Sequence, residues 1–326
     1  MRFITTFVLT SLFLASTLYG LILAVDPYNK FGNNLFGFES KAVDFARENK
    51  FKQVEHAKVD YTGFLMGSSS AHRYMTKEIN RLTGLIFYNY STQSATPEDF
   101  IAMTRHVRTK FKPKLLLLSM EFEGLNKNTK TDDMFYSSPL KNYLNEVPAE
   151  QLKTELFNNT YLTLEAISDS FKVIWVNLFA KARHVYLEHG DYIAGPRSEK
   201  IVVKQFSYPD YQLDLKRIDY LKTIKSLGER HGFEVIVFTS PLSYEHLLRI
   251  NANADLKNKH AELKAVLVSI FGEIHDFQNE GIKPYNDTKY FSDSNHPTHE
   301  FSTIVLERIF GNELPGNPEF GRVLKK

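Results

Sequence analysis

Hydrophobic positions divide this chain into one long apolar stretch at the start and a series of short apolar runs set between charged, helix-periodic segments. Phe3 to Val25 is apolar or small and uncharged, bounded by Arg2 and Asp26. As a helix it would be about 34 Å long, enough to cross a bilayer core. Lys41 to Ala57 is charged with scattered apolar positions and reads as a short surface helix. From Tyr61 the pattern becomes α/β. Strands are predicted at about Thr62–Met66, Gly84–Tyr90, Leu115–Ser119, Glu234–Thr239 and Glu273–Phe277. Helices are predicted over Ala71–Leu82, Pro97–Phe111, Tyr244–Ile250, Lys257–Phe271 and Pro297–Ile309. Leu115 to Leu118 is apolar throughout, as a strand buried on both faces must be.

The alternation of strands and helices implies a flavodoxin-like parallel sheet with helices on both faces, preceded by an N-terminal transmembrane helix. Between the third and fourth strands, about 120–233, the pattern is mostly helical, near Gln151–Ser170, Lys172–His189 and Leu213–Arg230. This region reads as an insertion forming a cap or partner surface over the carboxyl edge of the sheet. The chain therefore divides into an anchor (1–25), a juxtamembrane linker and helix (26–60), and an α/β domain carrying the insertion (61–326).

The first segment has two readings. A cleaved signal peptide has an apolar core of about 7–15 residues and a small-x-small cleavage site. The run here is longer, and Leu21 to Val25 lacks that pattern, which favours an uncleaved signal anchor. Arg2 points to a cytoplasmic N-terminus and a body outside the membrane.

Composition narrows the chemistry. A net charge of +2 without a basic stripe gives no case for nucleic acid. The absence of cysteine excludes disulfides, thiolate metal sites and a cysteine nucleophile. The 26 phenylalanines and 17 tyrosines suit a glycan- or acyl-binding surface, although a well-filled core accounts for most of them. No Walker loop, dinucleotide fingerprint or His-Glu-x-x-His motif is present, and no metal or cofactor is called for.

Two stretches carry chemistry. In Tyr61-Thr-Gly-Phe-Leu-Met-Gly-Ser-Ser-Ser-Ala-His-Arg73 an apolar strand breaks at Gly67 into three serines and a helix start. Such a turn lifts a hydroxyl from the sheet edge and aims backbone N–H groups at the same point. An ordinary βα turn uses the same residues. In Tyr290-Phe-Ser-Asp-Ser-Asn-His-Pro-Thr-His299, Asp293 can turn back on His296 Nδ1 and leave Nε2 outward as a general base. A capped helix start would also use these residues. Its position after the last parallel strand, at the same sheet edge as the serines, favours the chemical reading. Thr239 to Ser243, after the fourth strand, lines the pocket or simply turns the chain. His72 reads as an exposed first-turn residue. His184 and His189 do not form a one-face metal pair.

Gly67-Ser68-Ser69 with Asp293-Ser-Asn-His296 resembles the first and last blocks of the SGNH (GDSL-type) hydrolase superfamily. With the segment Val25-Asp-Pro-Tyr-Asn after an anchor, the likeness is to its membrane-anchored envelope branch, the DltD-like and alginate O-acetylation proteins. The resemblance implies Ser69 as nucleophile, with Ser68 and Ser70 as alternatives, and Asp293 and His296 as its partners. It implies an oxyanion hole made by the Ser69 N–H, a glycine after the second strand and an asparagine after the third. The second exit here has no glycine, and the third is not Gly-x-Asn-Asp; Asn89 or Asn126 would have to supply the side-chain donor. The implied activity is a serine esterase or O-acyltransferase on a cell-envelope polysaccharide or glycolipid. Its domain would stand in the periplasm, anchored in a bacterial inner membrane, beside a multi-spanning O-acyltransferase. The alternatives are a catalytically weak scaffold of an acylation complex and a glycan-binding module without a nucleophile.

Overall fold

The computed structural model describes residues 2–25, 35–36, 46–145, 164–179, 185–186, 188–193, 201, 208, 210–311 and 317–326. The predicted helix over 151–170 lies outside them except for its last turns, and His184 lies outside them entirely.

The centre of the protein is a six-stranded sheet. In chain order the strands are β1 (Gly63–Met66), β2 (Phe87–Asn89), β3 (Leu115–Met120), β6 (Glu234–Thr239), β7 (Glu273–Asp276) and β8 (Arg322–Lys325). A small separate hairpin, β4 (Val185–Tyr186) with β5 (Tyr192–Ile193), falls between them. The spatial order is β2-β1-β3-β6-β7-β8, parallel from β2 to β7 and closed by an antiparallel β8. Without the hairpin and β8, this is the flavodoxin-like order, whose change of direction lies between β1 and β3. Ligands on such sheets sit in the crevice beyond the carboxyl ends at that point.

β1 and β3 form the dry centre, with Leu65 opposite Leu117 and Met66 opposite Leu118. Side chains alternate between faces. Met66, Leu116 and Leu118 pack with Phe100, Ile101 and Leu221 on one side, and Leu65 and Leu117 with Tyr74, Ile79 and Phe301 on the other.

Three elements differ from the sequence reading. The segment after β1 is first a tight 3-10 turn, Ser69–Arg73, and only then a helix, α3 (Thr76–Thr83). Arg322 to Lys325, outside every predicted element, is the edge strand β8; its Leu324 packs against the core while its charges keep the edge wet. The helix α2 (Ala46–Glu55), expected on the surface, is no surface helix. It buries Lys50, Phe51 and Val54, and its Arg47 pairs with buried Asp99 at 2.7 Å. The long N-terminal helix α1 (Arg2–Val25) forms as expected and is exposed except over Leu21–Val25. It is long and apolar enough to cross a membrane, as a signal sequence would also be.

Candidate active site

Gly67 ends β1 where two elements crowd the backbone. A Cβ there would lie 2.5 Å from Ala71 Cβ and 2.9 Å from Ser119 Cβ, so only glycine lets the chain turn against β3. The three serines that follow have three different fates. Ser68 caps the turn and donates its hydroxyl to the carboxylate of Glu121, at the exit of β3. Ser70 is fully buried and accepts a hydrogen bond from Ser240 Oγ at 2.7 Å. Ser69 alone faces His296, with Oγ 2.8 Å from Nε2.

The second half of the site is a loop that folds on itself. Asp293 Oδ1 accepts the backbone N–H groups of Asn295 (3.1 Å) and His296 (3.0 Å), and Ser292 N–H closes the loop on the His296 carbonyl at 3.0 Å. This brings both Asp293 oxygens within 2.8 Å of His296 Nδ1. A carboxylate accepts only, so Nδ1 carries the proton and the Nε2 lone pair points at the Ser69 hydroxyl. Three residues on from His296, His299 Nδ1 donates to the Arg73 carbonyl at 2.7 Å and ties this loop to the nucleophile turn. On its other side the Ser294 carbonyl accepts from Ser243 N–H at 2.9 Å.

Asn89 has no amide donor left for the oxyanion role expected of it. The Asn89 amide gives one hydrogen to the Ala71 carbonyl (3.1 Å) and one to the Tyr74 carbonyl (3.0 Å), so both its donors are engaged in holding the turn. At the second-strand exit the Tyr90, Ser91 and Thr92 N–H groups are engaged too, bonding to Leu65 O, Asn89 Oδ1 and Gly67 O. Asn126 bridges to Leu213, and its Oδ1 accepts from Asn128 and Gln212 N–H groups. Buried Arg217, paired with Glu98, donates to the carbonyls of Gly124, Asn126 and Thr129 and fixes that loop. A main-chain oxyanion candidate is the N–H of Ser69 itself, at the first position of a helical turn, where amides lack a partner within the helix.

His72 also departs from expectation. It is buried, not exposed, and packs on the Tyr192 ring at 5.1 Å between centroids. Burial, then the Lys50 and His296 charges, hold its imidazole well below the ordinary range. What covers it is the Glu188–Ile193 segment of the insertion. Gly190 (φ +74°) passes so close to β2 that a Cβ would meet the Asn89 carbonyl at 2.2 Å. Next to it Asp191 accepts from Thr76 N–H and Oγ1, both at 2.8 Å, at the start of α3.

Three residues of the site escaped the sequence reading: Glu121, His299 and Lys50. Glu121 stands at the exit of β3, the edge to which the fold assigns ligands, and position alone would have nominated it; Ser240, at the exit of β6, lies in the Thr239–Ser243 stretch expected at the pocket. A cavity of about 820 Å³ lies elsewhere, lined by His260, Lys264, Gln278 and Arg322 among others; neither Ser69 nor His296 borders it.

No family model matches the chain, and no curated protein does. Among solved structures it is similar to that of a "putative acylhydrolase" from Bacteroides fragilis, at 13% identity and a TM-score of 0.39, over 82% of this chain and 95% of that one.

Proposed function

We propose that this protein is an SGNH-type serine esterase or O-acyltransferase whose domain stands outside a bacterial inner membrane, anchored by α1, and acts on an acylated cell-envelope polysaccharide or glycolipid. The observation that carries the reading is the Ser69–His296–Asp293 relay. Its three members come from opposite ends of the chain and meet in the tautomer and order that nucleophilic catalysis needs.

In the first step His296 Nε2 takes the Ser69 proton as Oγ attacks the ester carbonyl. The tetrahedral oxyanion forms beside the Ser69 N–H. Collapse breaks the ester C–O bond, and His296 hands its proton to the departing alcohol, leaving an acyl-serine. A sugar hydroxyl or water then repeats the cycle in reverse. Asp293 holds the imidazole and stabilises its cationic form. The envelope substrate, the membrane partner and the extracytoplasmic orientation rest on the likeness to the anchored envelope branch.

A second reading, a catalytically weak scaffold of the same fold, is favoured by the oxyanion side. Both Asn89 donors are engaged, and the third exit carries the Glu121 carboxylate where an amide would be needed. A missing donor typically costs about 10²–10³ in rate. Labelling of the full-length chain in detergent with a fluorophosphonate separates the two. Labelling that is lost in Ser69→Ala and His296→Ala supports the enzyme. A folded wild type that does not label leaves the scaffold.

A further inference from the structure

The Leu164–Phe179 helix of the insertion has two unlike faces. Ser170 and Val173 are buried. Phe171, Trp175, Leu178 and Phe179 are exposed, Trp175 by 64%. At about 100° per residue these four fall within one sector of about 100°, opposite the buried pair. Exposed aromatic and leucine side chains gathered on one face are a contact surface, not a scatter.

Its surroundings say what covers that face. This helix packs against α1, and α1 is exposed along its whole length except at Leu21–Val25, the end nearest the body. At that same end Leu35 donates its N–H to the Ala24 carbonyl at 3.1 Å, and the Leu35 and Phe36 side chains are exposed. The exposed apolar surface of α1 thus lies beside exposed Leu35 and Phe36 and against the helix that carries Phe171, Trp175, Leu178 and Phe179. All of it gathers where α1 would leave the hydrocarbon. An amphipathic helix at that depth lies in the plane of the interface, and tryptophan is favoured there because its ring is apolar and its N–H finds water or headgroups.

We propose that the Leu164–Phe179 helix is a second membrane-contacting element, lying in the lipid interface with Phe171, Trp175, Leu178 and Phe179 immersed among the acyl chains. This rests on the membrane reading of α1. It would hold the insertion, and through Gly190 and Asp191 the edge of the serine site, close to the bilayer surface. An acyl donor or acceptor carried in the membrane would then meet Ser69 without leaving the lipid.

Trp175 is the sole tryptophan, so the full-length chain reports on this helix directly. The experiment reconstitutes it into phosphatidylethanolamine–phosphatidylglycerol vesicles, follows flotation, and measures Trp175 emission with lipids brominated at different depths. The expected result is flotation together with loss of emission, strongest for bromines about 5–10 Å below the headgroups. A Phe171→Glu, Leu178→Glu variant should still float through α1 while its quenching falls. Flotation with unquenched Trp175 overturns the proposal and assigns the face to a protein partner or a second copy. Failure to float overturns the membrane reading of α1 and this proposal with it, while leaving the serine relay to be judged by labelling.

Discussion

The ammonium of Lys50, fully buried on α2, donates to the main-chain carbonyl of Asn89 at 2.8 Å, and Asn89 in turn holds the nucleophile turn. A chain of hydrogen bonds thus runs from the helix that follows the anchor to the backbone around Ser69. Burial lowers the Lys50 pKa to about 7, against a weaker opposing pull from Asp191. Between about 7 and the ordinary value of 10.5 the unfolded chain holds a proton that the folded chain does not. Stability contributed at this position therefore rises with pH across that window, and below it the burial of the charge weighs fully against folding. Lys50→Met should flatten this slope and stabilise the protein at pH 6 by up to about 4 kcal/mol, after the lost hydrogen bond is deducted. Urea midpoints at pH 6 and pH 9 check it; a variant less stable than wild type at pH 6 would show that the charged lysine is well accommodated.

Asn89→Ala leaves the Ala71 and Tyr74 carbonyls without their partner in a buried place. A stability loss of about 2–6 kcal/mol is expected, from about 1–3 for each orphaned carbonyl. Loosening of the turn should slow fluorophosphonate labelling at the same time. An oxyanion donor would behave otherwise, with slower labelling and little change in the urea midpoint.

Asp293→Asn tests the tautomer. The amide can donate as well as accept, so His296 Nδ1 is free to lose its proton and the Nε2 lone pair is no longer directed at Ser69. In the proposed enzyme, labelling should fall on the order of 10³–10⁴-fold. The site is partly exposed, and melting should move little. Equal labelling in the variant would separate Asp293 from the chemistry.

How far the sequence reached depends on whether a feature is local. β1 and β3 were legible because a strand buried on both faces must be apolar along its length, and Leu115 to Leu118 satisfies that by itself. Ser69, Asp293 and His296 were legible for a similar reason: each lies in a short pattern at a strand end, and the parallel order brings those ends to one edge. Asn89 was misread because its partners are carbonyls supplied by a turn fifteen to eighteen residues away. Lys50 and His72 were misread because burial of a polar side chain depends on what docks over it. Here that is the 188–193 segment, distant in sequence and short. β8 was missed because a charged four-residue edge strand owes its existence to pairing with β7 and carries no apolar alternation of its own.

Acid stability follows from two histidines behind the serine loop. His246, against Tyr208 at 2.8 Å, and His260, against Gln278 at 2.7 Å, are both lowered to about 4, burial being the first cause in each. Between the ordinary value of 6.5 and about 4 the unfolded chain takes up protons that the folded chain refuses. Stability is therefore at its full level above pH 6.5 and falls as pH drops towards 4, by about 3 kcal/mol per histidine at the limit. Glu55 acts in the next window down. Its hydrogen bonds to His106 and Lys110 outweigh burial and hold it at about 2, so its contribution is present above 4.5 and lost as pH falls towards 2. Being half exposed, it counts for less. The urea midpoint, already lower at pH 7 than at pH 9 through Lys50, should therefore drop again below pH 6.5, before carboxylates protonate. His260→Gln keeps a donor for Gln278 but cannot charge, and it should remove its own share of the drop between pH 6.5 and 4, about 3 kcal/mol at the limit. A midpoint that stays level down to pH 4.5 in the wild type would mean that these imidazoles open to water as they protonate.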